Sequence, residues 1–166
     1  GLLMDACVLI DFLKSKRSVI KLISEHVGPV YVTSPVVEEI QREIKNENEL
    51  IELGLCIIEP EIQDAFRAVN SPGPTSFQDH ICFLVAEREE LSLVTNDTHL
   101  RRLCKKKGIP CLWGLQPLVQ LHCSGGISSK TAVEIARKIH QTNPRHITNQ
   151  ILERFIEKIR KQAREG

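Results

Sequence analysis

A chain of 166 residues that is 42% hydrophobic and 26% charged, with no low-complexity tract and no internal repeat, has the make-up of one folded domain. That composition excludes a disordered or fibrous protein. No apolar run approaches the roughly 20 residues that span a bilayer, and no basic segment with an apolar core opens the chain, so no membrane partner and a cytoplasmic location are expected.

The net charge of +1 hides a division along the chain. Residues 1–129 carry 13 Lys and Arg against 17 Asp and Glu, whereas residues 130–166 carry nine against four, which makes an acidic body with a basic tail. Six cysteines, none in a Cys-x-x-Cys pair and most in apolar settings, read as reduced core thiols.

In chain order, short apolar runs rich in β-formers lie at 2–5, 30–33, 55–58, 92–95 and 110–113, and read as strands. Helical patterns occupy about 8–14, 17–26, 35–46, 61–69, 77–90 and 98–107 between them. The alternation predicts βαβ units, and so a three-layer α/β/α fold with a central, mostly parallel sheet. Boundary signals agree: Thr33-Ser34-Pro35 and Asn96-Asp97-Thr98 are capping clusters after strands, Ser71-Pro72-Gly73-Pro74 is a loop, and Gly108 closes a helix.

After Trp113 a helix is expected over 115–122, and "CSGGISS" (123–129) links to two more helices. We divide the chain into a domain of residues 1–122 and a C-terminal helical extension of residues 123–166. The last helix aligns Ile147, Ile151, Leu152, Phe155, Ile156 and Ile159 in one apolar stripe, with Arg154, Lys158, Arg160 and Lys161 off it. The stripe must pack on its own domain, on a second copy or on another protein.

In an open parallel sheet the ligand site lies beyond the carboxyl ends of the strands, so acids at those ends carry information. Asp5 ends the first strand, Glu38 and Glu39 follow the second, Asp97 lies just past the fourth, and Asp79 opens the helix after the Pro-Gly loop. Each alone could be a cap, a helix-dipole partner or a solvated residue. Gathered at one sheet edge they would repel one another unless a cation neutralised them. Hard oxygen donors without a Cys or His set suit Mg²⁺ or Mn²⁺. Asp11, six residues past Asp5, reads as solvated surface or a cap, and His80 and His99 are expected to point away from the acids.

"LLMDACVLIDF", "VTSPVVEEIQREI" and "SFQDHICFLVAEREELSLVTNDTHLRRLCKKKGI" together resemble the PIN-domain ribonuclease family over about residues 2–115, closest in kind to its VapC-like prokaryotic branch. The third segment carries most of the likeness: an Asp opening an apolar helix, then a strand, then Thr-x-Asp before another helix. The resemblance implies a metal-dependent endoribonuclease with Asp5, Glu39, Asp79 and Asp97 as catalytic, metal-holding acids. Glu39 is preferred to Glu38 because the family's Glu usually precedes an aliphatic residue, here Ile40. Ser76 and Thr95 match supporting polar positions.

The resemblance further implies an RNA substrate, Mg²⁺ or Mn²⁺ as cofactor, a homodimer, and, in toxin-type members, an inhibitory antitoxin protein. The extension beyond residue 122 departs from the shortest toxin-type domains. Arg101, Arg102 and Lys105 on the helix after Asp97 are the candidate RNA contacts, alongside the reading of that run as a solvated face. No aromatic stacking platform is expected, since Tyr31, Trp113 and the five Phe lie mostly in apolar contexts.

Three other readings compete. A haloacid-dehalogenase-type phosphatase needs a second Asp two residues after the first, where Cys7 stands. A receiver domain wants an acidic pair at the first strand and a late Lys, and neither is evident. A PIN fold used for binding or assembly without turnover would be expected to have lost a motif acid, and none is missing.

Overall fold

The central strand is apolar throughout: in β1 (Leu2–Met4), Leu3 and Met4 are fully buried. The computed structural model describes residues 1–166 and places β1 in the middle of a five-stranded, wholly parallel sheet. The other strands are β2 (Val30–Thr33), β3 (Leu55–Ile58), β4 (Ser92–Val94) and β5 (Cys111–Leu112), in the order β3-β2-β1-β4-β5. Leu3 stands opposite Tyr31 on one side and Leu93 on the other, and Met4 opposite Val94. Strands covered on both faces need apolar runs, which β1 supplies in full and β4 at Leu93 and Val94.

The order fixes the layers. From β1 the chain steps outward through β2 to β3, then crosses back to β4 and β5, and right-handed crossovers put the two sets of helices on opposite faces. On one side lie α1 (Ala6–Lys16), α2 (Ser18–His26), α3 (Ser34–Glu39) and α4 (Glu47–Glu52). Opposite them lie α5 (Ile62–Val69), α6 (Phe77–Arg88) and α7 (Thr98–Lys107). The expected α/β/α architecture is the observed one.

The C-terminal part returns to the first face. α8 (Gln116–Cys123) packs on α2, α9 (Ser129–Thr142) on α1 and α8, and α10 (Asn149–Glu165) on α9 and α8. Ile147, Leu152, Phe155, Ile156 and Ile159 are all buried, and they join the same core as the sheet residues. The apolar stripe of the last helix is therefore covered by its own chain.

Three expectations are corrected. The single helix expected over 35–46 is broken: α3 stops at Glu39, a 3₁₀ turn spans Gln41–Glu43, and α4 follows as a helix of its own. Arg17 holds the break, donating to the Glu43 carbonyl at 2.7 Å and pairing with Glu49, while Asn46 caps α4 by accepting from the Glu49 amide. The two Arg17 ties, each across more than 25 residues, override the local helical pattern.

Asp11 is neither solvated nor a cap. It is 8% exposed, and its carboxylate accepts from Asn143 Nδ2 at 3.1 and 3.2 Å, joining α1 to the end of α9. Of the cysteines, only Cys82 and Cys104 are fully buried; Cys7, Cys56 and Cys123 are exposed, each turned off the core face of its element. No helix is long and apolar enough to cross a membrane.

Candidate active site

Neighbouring strands whose following helices leave to opposite faces open a crevice at their carboxyl ends. β1 and β4 are that pair: α1 departs to one face and α7 to the other. Asp5 and Asp97 stand at the two exits, each as the N-cap of the helix that leaves.

Asp5 is 2% exposed and fully engaged by the protein. Its Oδ1 accepts from the Val8 amide at 2.9 Å, and its Oδ2 accepts from the hydroxyl of Thr95, which is itself buried. The Thr95 hydroxyl in turn accepts from the Asp97 amide at 3.0 Å, so one oxygen links the first-strand acid to the backbone of the fourth-strand acid. Asp97 Oδ1 accepts from the Leu100 amide at 2.8 Å, which leaves its other oxygen free of protein donors.

Asp79 sits in the first turn of α6, half-buried, and Ser76 caps that turn by accepting from the Asp79 amide at 3.1 Å. Glu39 closes α3 with much of its side chain in solvent. Four segments far apart in sequence thus bring their acids to one edge of the sheet.

Their charges act on one another. Burial pushes the Asp5 carboxyl up to about 7, against the opposing pull of Thr95 and Val8, and the charges of Asp79 and Asp97 push it further the same way. Asp79 is raised by burial and by Asp97, with Ser76 acting in the other direction. Glu39 is raised by partial burial and then by the charge of Asp79, so it stands within electrostatic reach of the cluster, although Glu38 and Glu39 are both exposed. Burial and the same acids push the Cys7 thiol up to about 12 and hold Cys82 well above its ordinary range, so neither sulfur is a thiolate nucleophile.

None of the four acids is paired with a Lys, Arg or His side chain. No three Asp, Glu, His or Cys side chains anywhere in the chain stand close enough together to form a ready-made metal cage. The donor chemistry nonetheless fits a hard cation: the carboxylates lack a positive partner, and Mg²⁺ keeps several waters while taking only one or two carboxylates directly. A loose acidic edge meets that requirement, whereas a four-ligand zinc site would need converging side chains.

The remaining candidates fall into two groups. Arg101, Arg102 and Lys105 line one shallow cavity on α7 with Ile109 and Cys111. Arg101 reaches back toward the acids, donating to the Thr95 carbonyl at 3.3 Å, and its guanidinium lies 3.6 Å from the centre of the Trp113 ring. His80 turns away as expected, bonded to Ser71 at 3.0 Å and edge-on to Phe83. His99 is exposed beside the Pro-Gly loop.

Two residues escape sequence reasoning. Trp113 is 49% exposed, which corrects the expectation that it lies in an apolar context. It follows directly on the two-residue strand β5. Asn96, between Thr95 and Asp97, is 7% exposed; its Oδ1 accepts from the Gly114 amide at 2.8 Å and its Nδ2 has no partner. A capping cluster in sequence gives no sign of that long-range bond.

No protein-family model matches the chain, and no curated protein matches it.

Proposed function

We propose that this protein is a PIN-type endoribonuclease that hydrolyses RNA phosphodiester bonds with Mg²⁺ or Mn²⁺ in the cytoplasm. The observation that carries the reading is the set of four uncompensated carboxylates, Asp5, Glu39, Asp79 and Asp97, at the crevice between β1 and β4. Such a set is a liability in a protein that has no cation to receive.

Asp5, Asp79 and Asp97 would hold the metal, with Glu39 at the solvent side, directly or through water. When bound, the metal supplies Lewis acidity for the phosphate and for the attacking water. The chain's own groups do the positioning. Thr95 fixes the Asp5 carboxylate and the Asp97 backbone through one hydroxyl. The caps made by Asp5, Ser76 and Asp97 set the start of three helices around the same edge. Arg101, held between the Thr95 carbonyl and Trp113, contributes a fixed positive charge for a phosphate.

The toxin role, the antitoxin and the homodimer rest on the resemblance alone, and the packed extension of α9 and α10 is support for a chain with added RNA or protein contacts. Incubating a pool of structured and unstructured RNA with Mn²⁺, Mg²⁺ or EDTA, with Asp5→Asn protein in parallel, tests the reaction. Cutting that needs metal and Asp5 is the expected result. No cutting under either metal, or equal cutting by the variant, would overturn the proposal.

A further inference from the structure

Two thiols meet where α7 gives way to β5. Gly108, at a φ of 71°, reverses the chain after the helix, and the Ile109 amide donates back to the Cys104 carbonyl at 2.9 Å. This left-handed turn, which glycine adopts without strain, returns β5 along α7 and brings Cys111 to Cys104. The Cys104 thiol donates to the Cys111 sulfur. Arg101 Nη1 donates to that same sulfur at 3.5 Å, in addition to its bond to the Thr95 carbonyl.

The two thiols differ in setting. Cys104 is buried, whereas Cys111 is half-buried and lines a cavity of about 380 Å³ with Arg101, Arg102, Lys105 and Ile109. No acid lines that cavity, and none of its three cations is engaged in an ion pair. The bond from Cys104 holds the Cys111 thiol below its ordinary value; burial opposes it, and the Arg101 charge acts with the bond. Giving that bond, and then burial, push Cys104 the other way. Thiol exchange proceeds through the thiolate, so one sulfur is prepared to attack and a second waits beside it as a thiol.

We infer that Cys111 and Cys104 form a redox-active pair that exchanges with small disulfides bearing carboxylates, drawn by Arg101, Arg102 and Lys105, and that closure of the pair takes the sulfur away from Arg101. The Cys111 thiolate bonds to one sulfur of the incoming disulfide, whose S–S bond breaks and whose other half leaves as a thiolate. Cys104 then attacks the Cys111 sulfur, the Cys104–Cys111 disulfide forms, and the second half leaves. The two protein thiols are oxidised, the incoming disulfide is reduced to two thiols, and the Cys104 proton ends on one of them. Inside a reducing compartment such a bond is transient and senses redox state rather than holding the fold together. The inference goes beyond the nuclease reading and does not depend on it.

The reduced full-length chain in EDTA is treated with oxidised glutathione, which is anionic, or with cystamine, which is cationic. Free thiols are then alkylated and the digest is mapped by mass spectrometry. With oxidised glutathione the expected product is the Cys104–Cys111 disulfide, reversed by dithiothreitol, with Cys7, Cys56, Cys82 and Cys123 still alkylated. In Cys104→Ala the reaction should stop at a glutathione adduct on Cys111, and in Cys111→Ser the Cys104 thiol should stay unmodified. Arg101→Gln should slow the reaction about 3- to 10-fold, because each unit of rise in a thiol pKa cuts the thiolate tenfold while raising its nucleophilicity only a few-fold. Added salt should slow oxidised glutathione but not cystamine. Trp113, the only tryptophan and the ring beneath Arg101, should change its emission as the pair closes.

Adducts on Cys56 or Cys123 ahead of Cys111, a parent chain that stops at the mixed disulfide, or cystamine reacting as fast as oxidised glutathione would each overturn the inference. These readings come from the parent chain and survive a variant that fails to fold. An Arg101→Gln protein reacting at the parent rate would remove Arg101 from the pair, and an emission unchanged on closure would overturn its release. Neither RNA nor metal enters the assay, so its failure leaves the nuclease reading untouched, and an absence of cutting leaves the thiol pair untouched.

Discussion

Replacing Asp5 by Asn should make the metal-free protein more stable while ending its activity. Burial and two neighbouring acids lift the Asp5 carboxyl from an ordinary 3.8 to about 7. A group whose acid form is favoured by folding contributes stability that is complete below its unfolded pKa and lost as the pH rises through the folded one. For Asp5 the loss runs from about pH 4 to pH 7, and at pH 8 the ionised carboxylate costs about 4 kcal/mol, at 1.36 kcal/mol per unit.

The Asn amide removes the charge at nearly constant volume and keeps an acceptor for the Val8 amide. It also gives up the charged acceptor of the Thr95 hydroxyl, a loss of roughly 1.5–3 kcal/mol. A net gain of about 2 kcal/mol at pH 8 remains, or a rise of roughly 4–8 °C in Tm. Urea unfolding of parent and variant in EDTA at pH 8 and pH 5 measures it, with the gain shrinking at pH 5. A variant less stable than its parent at pH 8, or a difference independent of pH, would refute the electrostatic argument. Adding Mg²⁺ should close the gap from the other side, since a ligand bound only by the folded parent stabilises only the parent.

Thr95→Val takes away the hydroxyl that serves both Asp5 and the Asp97 amide, and should cost about 1–3 kcal/mol and suppress cleavage; a variant as active as the parent would remove Thr95 from the site. Gly114→Ala would set a Cβ 2.6 Å from Asn96 Nδ2 and 2.9 Å from its Oδ1, so thermal melting should fall by about 1–3 kcal/mol and the Trp113 emission should shift. Asn143→Ala strands the buried Asp11 carboxylate, with an expected loss of about 1.5–3 kcal/mol at pH 7. Because burial already raises Asp11, that penalty should shrink as the pH falls and the carboxyl takes up its proton, and a pH-independent loss would contradict it.

The fold was legible because its signals are local. Two-sided strands such as β1 are continuously apolar, and the cap at Asp97 marks a helix start by residue type alone. Asp5, Asp79, Asp97 and Glu39 could be picked out because strand ends in a parallel sheet all point one way. What stayed hidden depends on partners distant in sequence. The break after α3 is set by Arg17, the burial of Asp11 by Asn143, and the orientation of Asn96 by Gly114. Trp113 was misread because an apolar neighbourhood in sequence was taken for one in space.

The bond from Asp11 to Asn143 joins residues 132 positions apart, and α9 covers the helix that Asp5 caps. At the ordinary pace of translation, roughly 5–20 residues per second, α1 waits on the order of ten seconds for the segment that will cover it. A chain that cuts RNA would spend those seconds attached to the message and the ribosome that encode it. Because α9 closes the first helix, the edge that Asp5 helps to form is complete only after Asn143 has been made, and on the proposed reading that late assembly would postpone cutting.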